Sequence, residues 1–279
     1  MYSELFQIGP IVIRAYGLTL ALSFLIGLML VRRQARWLGL DPERLVSLGF
    51  VLIIAGVIGG RLGYVLYHWG IFWDHPLAII NPFSSSGQFG IAGLNLQGGL
   101  LAGLIAGLWY LRRHRVAVSA GFDAVVPAIA FGLFLTRIGC FMNGCCFGIP
   151  TALPWGVEFP WDAPACDVFG EAAVHPTQLY SSMYGLLLLA VLLYVNRYRY
   201  RPGLPTGLFL VFEAVFRFAI EPLRYYEDAM LFSLADIRVT HNQVVALVMF
   251  VIGIVFLMRS RRGHRSPGDT AAAGRGADT

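Results

Sequence analysis

The sequence predicts an all-α polytopic membrane protein with seven transmembrane helices, N-terminus outside and C-terminus in the cytoplasm. Three observations carry that expectation: the bulk composition, the spacing of apolar runs, and the placement of arginine. Of the 279 residues, 57% are hydrophobic and only 13% are charged. A soluble globular domain is nearer a quarter charged. The mean hydropathy of +0.66 agrees.

Seven apolar runs fall at roughly 12–31, 48–67, 92–111, 121–138, 178–195, 205–222 and 241–258. Each is close to the ~20 residues that a helix needs to cross a bilayer. The stretch before the first run has an acid ahead of any base and no small-residue cleavage pattern. That run is therefore expected to stay as a span rather than to be removed as a signal peptide. The second and third runs are rich in glycine, as "GVIGGRLGYVL" and "QGGLLAGLIAGL". Small residues at such spacing let helices pack closely in lipid. The fourth run ends in "LTRIGCFMNGCCFG", which opens a long outer connection over about 139–177. A shorter outer loop, 69–91, carries tryptophans suited to the membrane interface. Residues 1–262 thus read as one seven-span membrane domain. Residues 263–279, "GHRSPGDTAAAGRGADT", read as a disordered cytoplasmic tail.

Orientation follows from arginine. All 21 basic residues are Arg. Arg32, Arg33, Arg36 and Arg44 lie between runs one and two. Arg112, Arg113 and Arg115 lie between three and four, and Arg197, Arg199 and Arg201 between five and six. Arg259, Arg261, Arg262, Arg265 and Arg275 follow run seven. If seven spans alternate, all of these share one side, and the positive-inside rule makes that side cytoplasmic. The arginines are scattered between apolar runs rather than gathered on one face, which argues against nucleic-acid binding.

The six remaining arginines sit within runs or at their outer ends: Arg14, Arg61, Arg137, Arg217, Arg224 and Arg238. Arginine at membrane depth is costly and usually faces a partner or a polar cavity. Snorkelling to outer headgroups is an equal reading for Arg14, Arg224 and Arg238. Arg61, Arg137 and Arg217 lie deeper and are candidate functional groups. Other polar residues recur on the same side: Tyr16, Tyr64, Asn95, Gln97, Asn143, His175, Gln178 and Glu221. Arg217 and Glu221 are four apart and can pair on one helix face, which is also a purely structural option. Guanidinium groups bind phosphate through charged, bidentate hydrogen bonds. The pattern therefore describes an anion site near the outer leaflet, and a phospholipid headgroup is the anion at hand. The residues alone leave open whether that lipid is bound, moved or cut.

Cys140, Cys145, Cys146 and Cys166 all fall on the outer side, where disulfides form. Packing or a disulfide is the favoured reading. A direct role for a thiol comes second. Zinc comes last, because adjacent cysteines suit a tetrahedral site poorly and no paired C-x-x-C is present.

The strings "IGPIVIRAYGLTLALSFLIG", "GGRLGYVL", "QGGLLAG", "RIGCFMNGCCFG", "HPTQLY", "FRFAIEPLR" and "THNQ" occur in that order over about residues 5 to 258. Together they resemble the prolipoprotein diacylglyceryl transferase family. The resemblance implies a bacterial plasma (inner) membrane enzyme of lipoprotein biosynthesis. It would transfer a diacylglyceryl group from phosphatidylglycerol to the lipobox cysteine of a preprolipoprotein signal peptide, releasing glycerol phosphate. No metal or organic cofactor is implied. By the same resemblance, Arg137 binds the headgroup and Arg217 assists the leaving phosphate. Asn143, Gly148, Gly98 and Gly99 shape the site, and Tyr16 and Glu221 orient substrate or arginine; Arg61 joins the substrate-binding candidates from its depth in run two rather than from the resemblance.

Three positions depart from the family pattern. Gln97 stands where a histidine is usual, Cys140 where asparagine is common, and Glu213 where a tyrosine is usual. Glutamine takes no proton at neutral pH and cannot serve as a general base. His175, Glu221 and Glu213 are the alternative bases, and the sequence does not choose among them. The alternative functions are a phospholipid-binding or lipid-moving protein without catalysis, and a paralogue with a different acceptor.

Overall fold

The structure, a computed structural model, describes residues 4–8, 11–74, 95–161, 163–198, 200–225, 231–234 and 237–262. The expected tail 263–279, most of the loop 69–91, and the side chains of Arg14 and Arg238 lie outside the described residues. Helices dominate. They are α1 (Ala15–Trp37), α2 (Pro42–Tyr67), the short α3 (Trp69–Asp74), α4 (Leu96–Arg113), α5 (Val118–Met142), the short α6 (Pro164–Phe169), α7 (Thr177–Tyr198), α8 (Leu204–Ile220) and α9 (His241–Arg262). Among the described residues, five helices are long and apolar enough to cross a membrane: α1, α2, α5, α7 and α9. The apolar runs at 92–111 and 205–222 form α4 and α8, which are shorter, at 18 and 17 residues.

Two antiparallel hairpins add to the expected all-α class. β1 (Glu4–Ile8) pairs with β2 (Ile11–Arg14), and β3 (Leu231–Leu234) pairs with β4 (Ile237–Thr240). The first apolar run reads as helical from residue 12. Its opening "IVIR" is instead β-branched and pairs as a strand, so the helix begins at Ala15.

Four helix pairs hold the bundle: α1 with α5, α2 with α4, α5 with α7, and α8 with α9. Each close approach runs over glycine. A Cβ on Gly98 would sit 3.0 Å from Gly63 Cα, and one on Gly99 would sit 2.9 Å from the Gly56 carbonyl oxygen. A Cβ on Gly185 of α7 would lie 2.7 Å from the Phe134 nitrogen of α5, and one on Gly253 of α9 would lie 2.8 Å from Val211 Cγ2 of α8. Lipid supplies no hydrophobic drive between helices, so backbone proximity is what stabilises them. The outward faces are correspondingly apolar, with Leu25, Met29, Leu66, Leu101, Leu187 and Leu247 among the exposed side chains.

The two ends of the bundle differ in chemistry. At the arginine-rich end, Tyr110 Oη donates to the Arg44 carbonyl at 3.1 Å, and Arg197 lies 5.3 Å from the Trp37 ring. Beneath them Asp123 of α5 is fully buried. It accepts from the Gly203 and Thr206 backbone N–H groups at 2.6 and 3.0 Å, and from the Thr206 hydroxyl at 2.6 Å. Asp123 thus caps α8 from another helix, satisfying N–H groups that the helix start leaves open. Asn196 donates to Gln34 at 2.8 Å and to the Asp123 carbonyl at 3.2 Å, tying α1 and α7 into the same layer. The opposite end brings together the start of α1, the end of α5, the start of α7, the end of α8 and the start of α9.

Candidate functional site

At that second end, α5 closes on Asn143, whose N–H bonds the Gly139 carbonyl at 3.0 Å. Gly144 then turns the chain with φ +66°, a conformation open to glycine at no steric cost. The turn folds the chain back so that the Cys145 N–H reaches the Cys140 carbonyl at 3.1 Å. Cys146 follows with φ +62°, rare for a residue with a side chain. Two bonds from the start of α7 pin this turn. Gln178 Nε2 donates to the Cys145 carbonyl at 2.8 Å, and the Thr177 hydroxyl donates to the Cys146 carbonyl at 2.9 Å. The thiol sulfurs of Cys140, Cys145 and Cys146 consequently lie within 4.8 Å of one another. All four cysteines of the chain are free thiols. The Cys146 thiol is held below its ordinary range, first by the Cys140 and Cys145 thiols as hydrogen-bond partners and then by the charges of Arg137 and Arg224.

Arg137 lies on the last turns of α5, half-buried, one turn before Cys140. Its charge reaches Tyr16, Cys146 and Glu213. Among the described residues no carboxylate lies at ion-pair distance from it. Arg217 of α8 is engaged instead: its Nε is 3.4 Å from Glu213 Oε1, and both side chains are largely buried. Glu213 is thus acted on by the charges of both arginines. Tyr184 of α7 lies beside Glu213 with its ring stacked 3.9 Å from Phe216. Its hydroxyl and Glu213 Oε2 are both buried.

Glu221 has a different setting. It opens the 3₁₀ turn Glu221–Leu223 that ends α8 and accepts a hydrogen bond from the Thr240 hydroxyl, with Asn242 Nδ2 at 3.5 Å. The string "THNQ" explains why those donors are there. Thr240 N–H donates to Gln243 Oε1 at 3.0 Å, and Gln243 N–H donates back to Thr240 Oγ1 at 3.2 Å. This reciprocal capping box starts α9 and holds Thr240 and Asn242 against Glu221.

The connection 139–177 is folded. Phe147, Phe159, Ala163, Ala165 and Val174 form a small core beside Phe141, Phe169 and Tyr225. Gly148 lets it dock: a Cβ there would lie 2.7 Å from His175 Cβ, and its N–H bonds the His175 carbonyl at 3.0 Å. His175 is buried with Nδ1 3.3 Å from the Tyr180 hydroxyl, which also accepts from Trp155 Nε1 at 2.8 Å.

The remaining expected residues lie on α1, α2 and α4. Tyr16 is 40% exposed at the start of α1, within electrostatic reach of Arg137 and the three thiols. Arg61 of α2 sits over the Tyr64 and Phe72 rings at 5.8 and 5.4 Å. Asn95 caps α4 by accepting from the Gly98 N–H at 3.1 Å, and Gln97 is exposed on that first turn. Gly98 and Gly99 seat α4 on α2. Arg137 thus acts electrostatically on Tyr16, Cys146 and Glu213, the partner of Arg217, and Arg61 of α2 lies over one ring of α2 and one of α3. Tyr184, Thr177 and Thr240 were missed by sequence reasoning. Gln178 and the "HPTQLY" and "THNQ" strings were the signals that pointed nearest to them.

These features define an integral membrane protein that holds a half-buried guanidinium and a polar cluster at one end of an apolar bundle. Residues 3–259 match the family profile described as prolipoprotein diacylglyceryl transferase, and the chain belongs to that family. It is 34% identical over 258 residues to a protein of Photobacterium profundum, covering 91% of each chain. It is 36% identical over 265 residues to one of Nitratidesulfovibrio vulgaris, covering 94% of each. A relative from Synechococcus elongatus is 32% identical over 264 residues, spanning 92% of this chain and 88% of the relative. All three relatives are named phosphatidylglycerol–prolipoprotein diacylglyceryl transferase.

Proposed function

We propose that this protein transfers a diacylglyceryl group from phosphatidylglycerol to the lipobox cysteine of a preprolipoprotein, releasing glycerol phosphate. It is a multi-pass transferase of the bacterial plasma membrane. The observation that carries this reading is Arg137, half-buried at the end of α5 with no carboxylate at ion-pair distance among the described residues. A guanidinium so placed is suited to the lipid phosphate. Arg217, held in place by Glu213, meets the charge that develops as the phosphate leaves, the form of stabilisation that preorganised donors supply best. Asn143 and Gly148 set the turn and the docked loop around the headgroup, and Tyr16 closes the site from α1. Gln97 offers an amide to substrate from the first turn of α4, above Gly98 and Gly99. Arg61 contacts lipid or peptide from α2. Glu221 orients the site through Thr240 and Asn242 rather than by touching the reacting atoms.

The same reading includes seven spans, with α4 and α8 completing the five longer helices. At 1.5 Å per residue, α4 reaches about 27 Å, close to the ~30 Å hydrocarbon core. α8 gains length from the 3₁₀ turn after it. The contacts among Arg44, Tyr110, Trp37 and Arg197 favour one arginine-rich, cytoplasmic end, with the N-terminus outside.

The test uses purified protein, phosphatidylglycerol and a lipobox peptide, and follows glycerol phosphate and thioether formation. Coupled appearance of both supports transfer. Glycerol phosphate without thioether means hydrolysis or another acceptor. Retained lipid with neither product means a binding protein.

A further inference from the structure

We propose that Cys140, Cys145 and Cys146 form a three-thiolate site for zinc, whose fourth position takes the acceptor cysteine of the peptide. The catalytic half of this inference rests on the transfer reading above; the metal site itself does not. Three features of the molecule carry it. The three sulfurs lie within 4.8 Å of one another. Sulfurs sharing one tetrahedral zinc at ~2.3 Å stand about 3.8 Å apart, so small side-chain adjustments close the site. The backbone that presents them is already fixed: Gly144 and Cys146 hold left-handed conformations, and Thr177 and Gln178 grip the Cys146 and Cys145 carbonyls at 2.9 and 2.8 Å. A strained, pinned turn at a non-glycine residue is a costly arrangement that packing alone does not call for. Lastly, three thiolates on one Zn²⁺ carry a net charge of −1. Arg137 and Arg224 both bear on Cys146 and offset that charge.

The spacing hid this site. Two adjacent cysteines and one five residues earlier do not form a zinc signature in a straight chain. The turn after α5 brings Cys140 back onto the pair.

The chemistry addresses a gap in the transfer reaction. The acceptor must attack as thiolate, and Gln97 cannot take its proton. Zinc binding releases the protons of Cys140, Cys145 and Cys146 to solvent. When the peptide thiol enters the fourth position it loses its proton in the same way, since a coordinating thiol is deprotonated. The zinc-held sulfur then attacks the glyceryl carbon. The C–S bond forms as the C–O bond breaks, and the electron pair leaves on the phosphate oxygen beside Arg137 and Arg217. The neutral thioether is a poorer ligand and departs. No oxidant or reductant is consumed.

The test begins with metal alone. Full-length protein in detergent, reduced with a non-thiol phosphine and desalted, is titrated with Co²⁺ and Zn²⁺. The expected result is one metal per chain by mass spectrometry, with sulfur-to-cobalt charge-transfer absorption in the near ultraviolet. Cys140→Ser, Cys145→Ser and Cys146→Ser are each expected to abolish tight binding, while Cys166→Ser, outside the cluster, retains it. Wild-type protein that takes up no metal overturns the site, as does a disulfide between any two of the three thiols in protein isolated from cells. A second arm measures thioether formation before and after zinc removal. A fall of about a hundredfold, restored by Zn²⁺, with phosphatidylglycerol binding unchanged, supports activation of the acceptor; that is the usual scale for proton management by a positioned group. Full transfer by metal-free protein overturns the catalytic role and leaves the transfer reading intact. Zinc bound with no transfer under any condition overturns the transfer reading and its catalytic role, and supports the metal site alone.

Discussion

At the scale of single residues, Arg137 and Arg217 look alike in sequence and differ in the folded chain. Arg217 is committed to Glu213 at 3.4 Å, whereas Arg137 has no such partner among the described residues. Arg137→Ala is therefore expected to leave the fold intact and to lower transfer by two to three orders of magnitude, the scale of losing one preorganised donor to a developing anion. Thermal unfolding and thioether formation, measured on the same preparation, check both halves; unchanged turnover defeats the headgroup assignment. Gln97 is exposed at the first turn of α4, so Gln97→His fits without repacking. That substitution is expected to keep or raise the rate, and a complete loss would show that the amide itself is used. The arginines were legible as candidates because charge at membrane depth is costly wherever it falls in a sequence. Their division of labour was not legible. It depends on Glu213 rather than Glu221 standing beside Arg217, and both lie four residues from it. Periodicity places both on the arginine's face; Glu221 is drawn to Thr240 and Asn242 by the capping box of α9, which no local pattern within α8 announces.

At the scale of elements, the glycines carry most of the helix pairing. The α2–α4 contact runs over Gly56, Gly59, Gly63, Gly98 and Gly99, and a side chain at Gly98 meets the backbone of Gly63 at 3.0 Å. Gly98→Leu is expected to separate the two helices, costing about 1–3 kcal/mol or more in stability, because backbone cannot yield as a flexible side chain does. A lowered midpoint in thermal unfolding in detergent, with α-helix content retained below it, is the expected signature. Here the strings "GGRLG" and "QGGLLAG" were legible as close-packing surfaces, and they pair with each other. Asp123 tells the opposite story. It is invisible as a pattern, a single acid in an apolar run, because its partners Gly203 and Thr206 are some eighty residues away. Asp123→Ala removes the acceptor for three donors at the buried start of α8. The expected loss is about 2–4 kcal/mol, with Asp123→Asn costing less because the side-chain oxygen remains. Equal unfolding midpoints for Asp123→Ala and wild type would mean that the cap is dispensable.

At the scale of the whole molecule, the decisive feature is polarity along the bundle axis. Asp123, Gln34, Asn196 and the arginine-rich loops occupy one end, and Arg137, Arg217 and the thiols occupy the other. A chain that crosses an odd number of times places its termini on opposite sides. The hairpin β1–β2 precedes α1 at the thiol end, and α9 runs from Thr240, at that same end, toward Arg259 and Arg262. α4 and α8 are the two helices whose passage through lipid decides the count. If both span, a reporter fused after residue 262 lies in the cytoplasm and one fused before residue 4 lies outside. Alkaline phosphatase, which needs an oxidising compartment for its disulfides, is then expected to be active at the N-terminal position and inactive at the C-terminal one, with a green fluorescent reporter giving the reverse. Moving the phosphatase to the turn at 114–117, between α4 and α5, separates the cases further. Inactivity there means that α4 crosses and that the Arg112–Arg115 cluster faces the cytoplasm. Activity there means that α4 does not span and that the Arg112–Arg115 cluster faces outward, away from Arg32–Arg44, which defeats the seven-span reading.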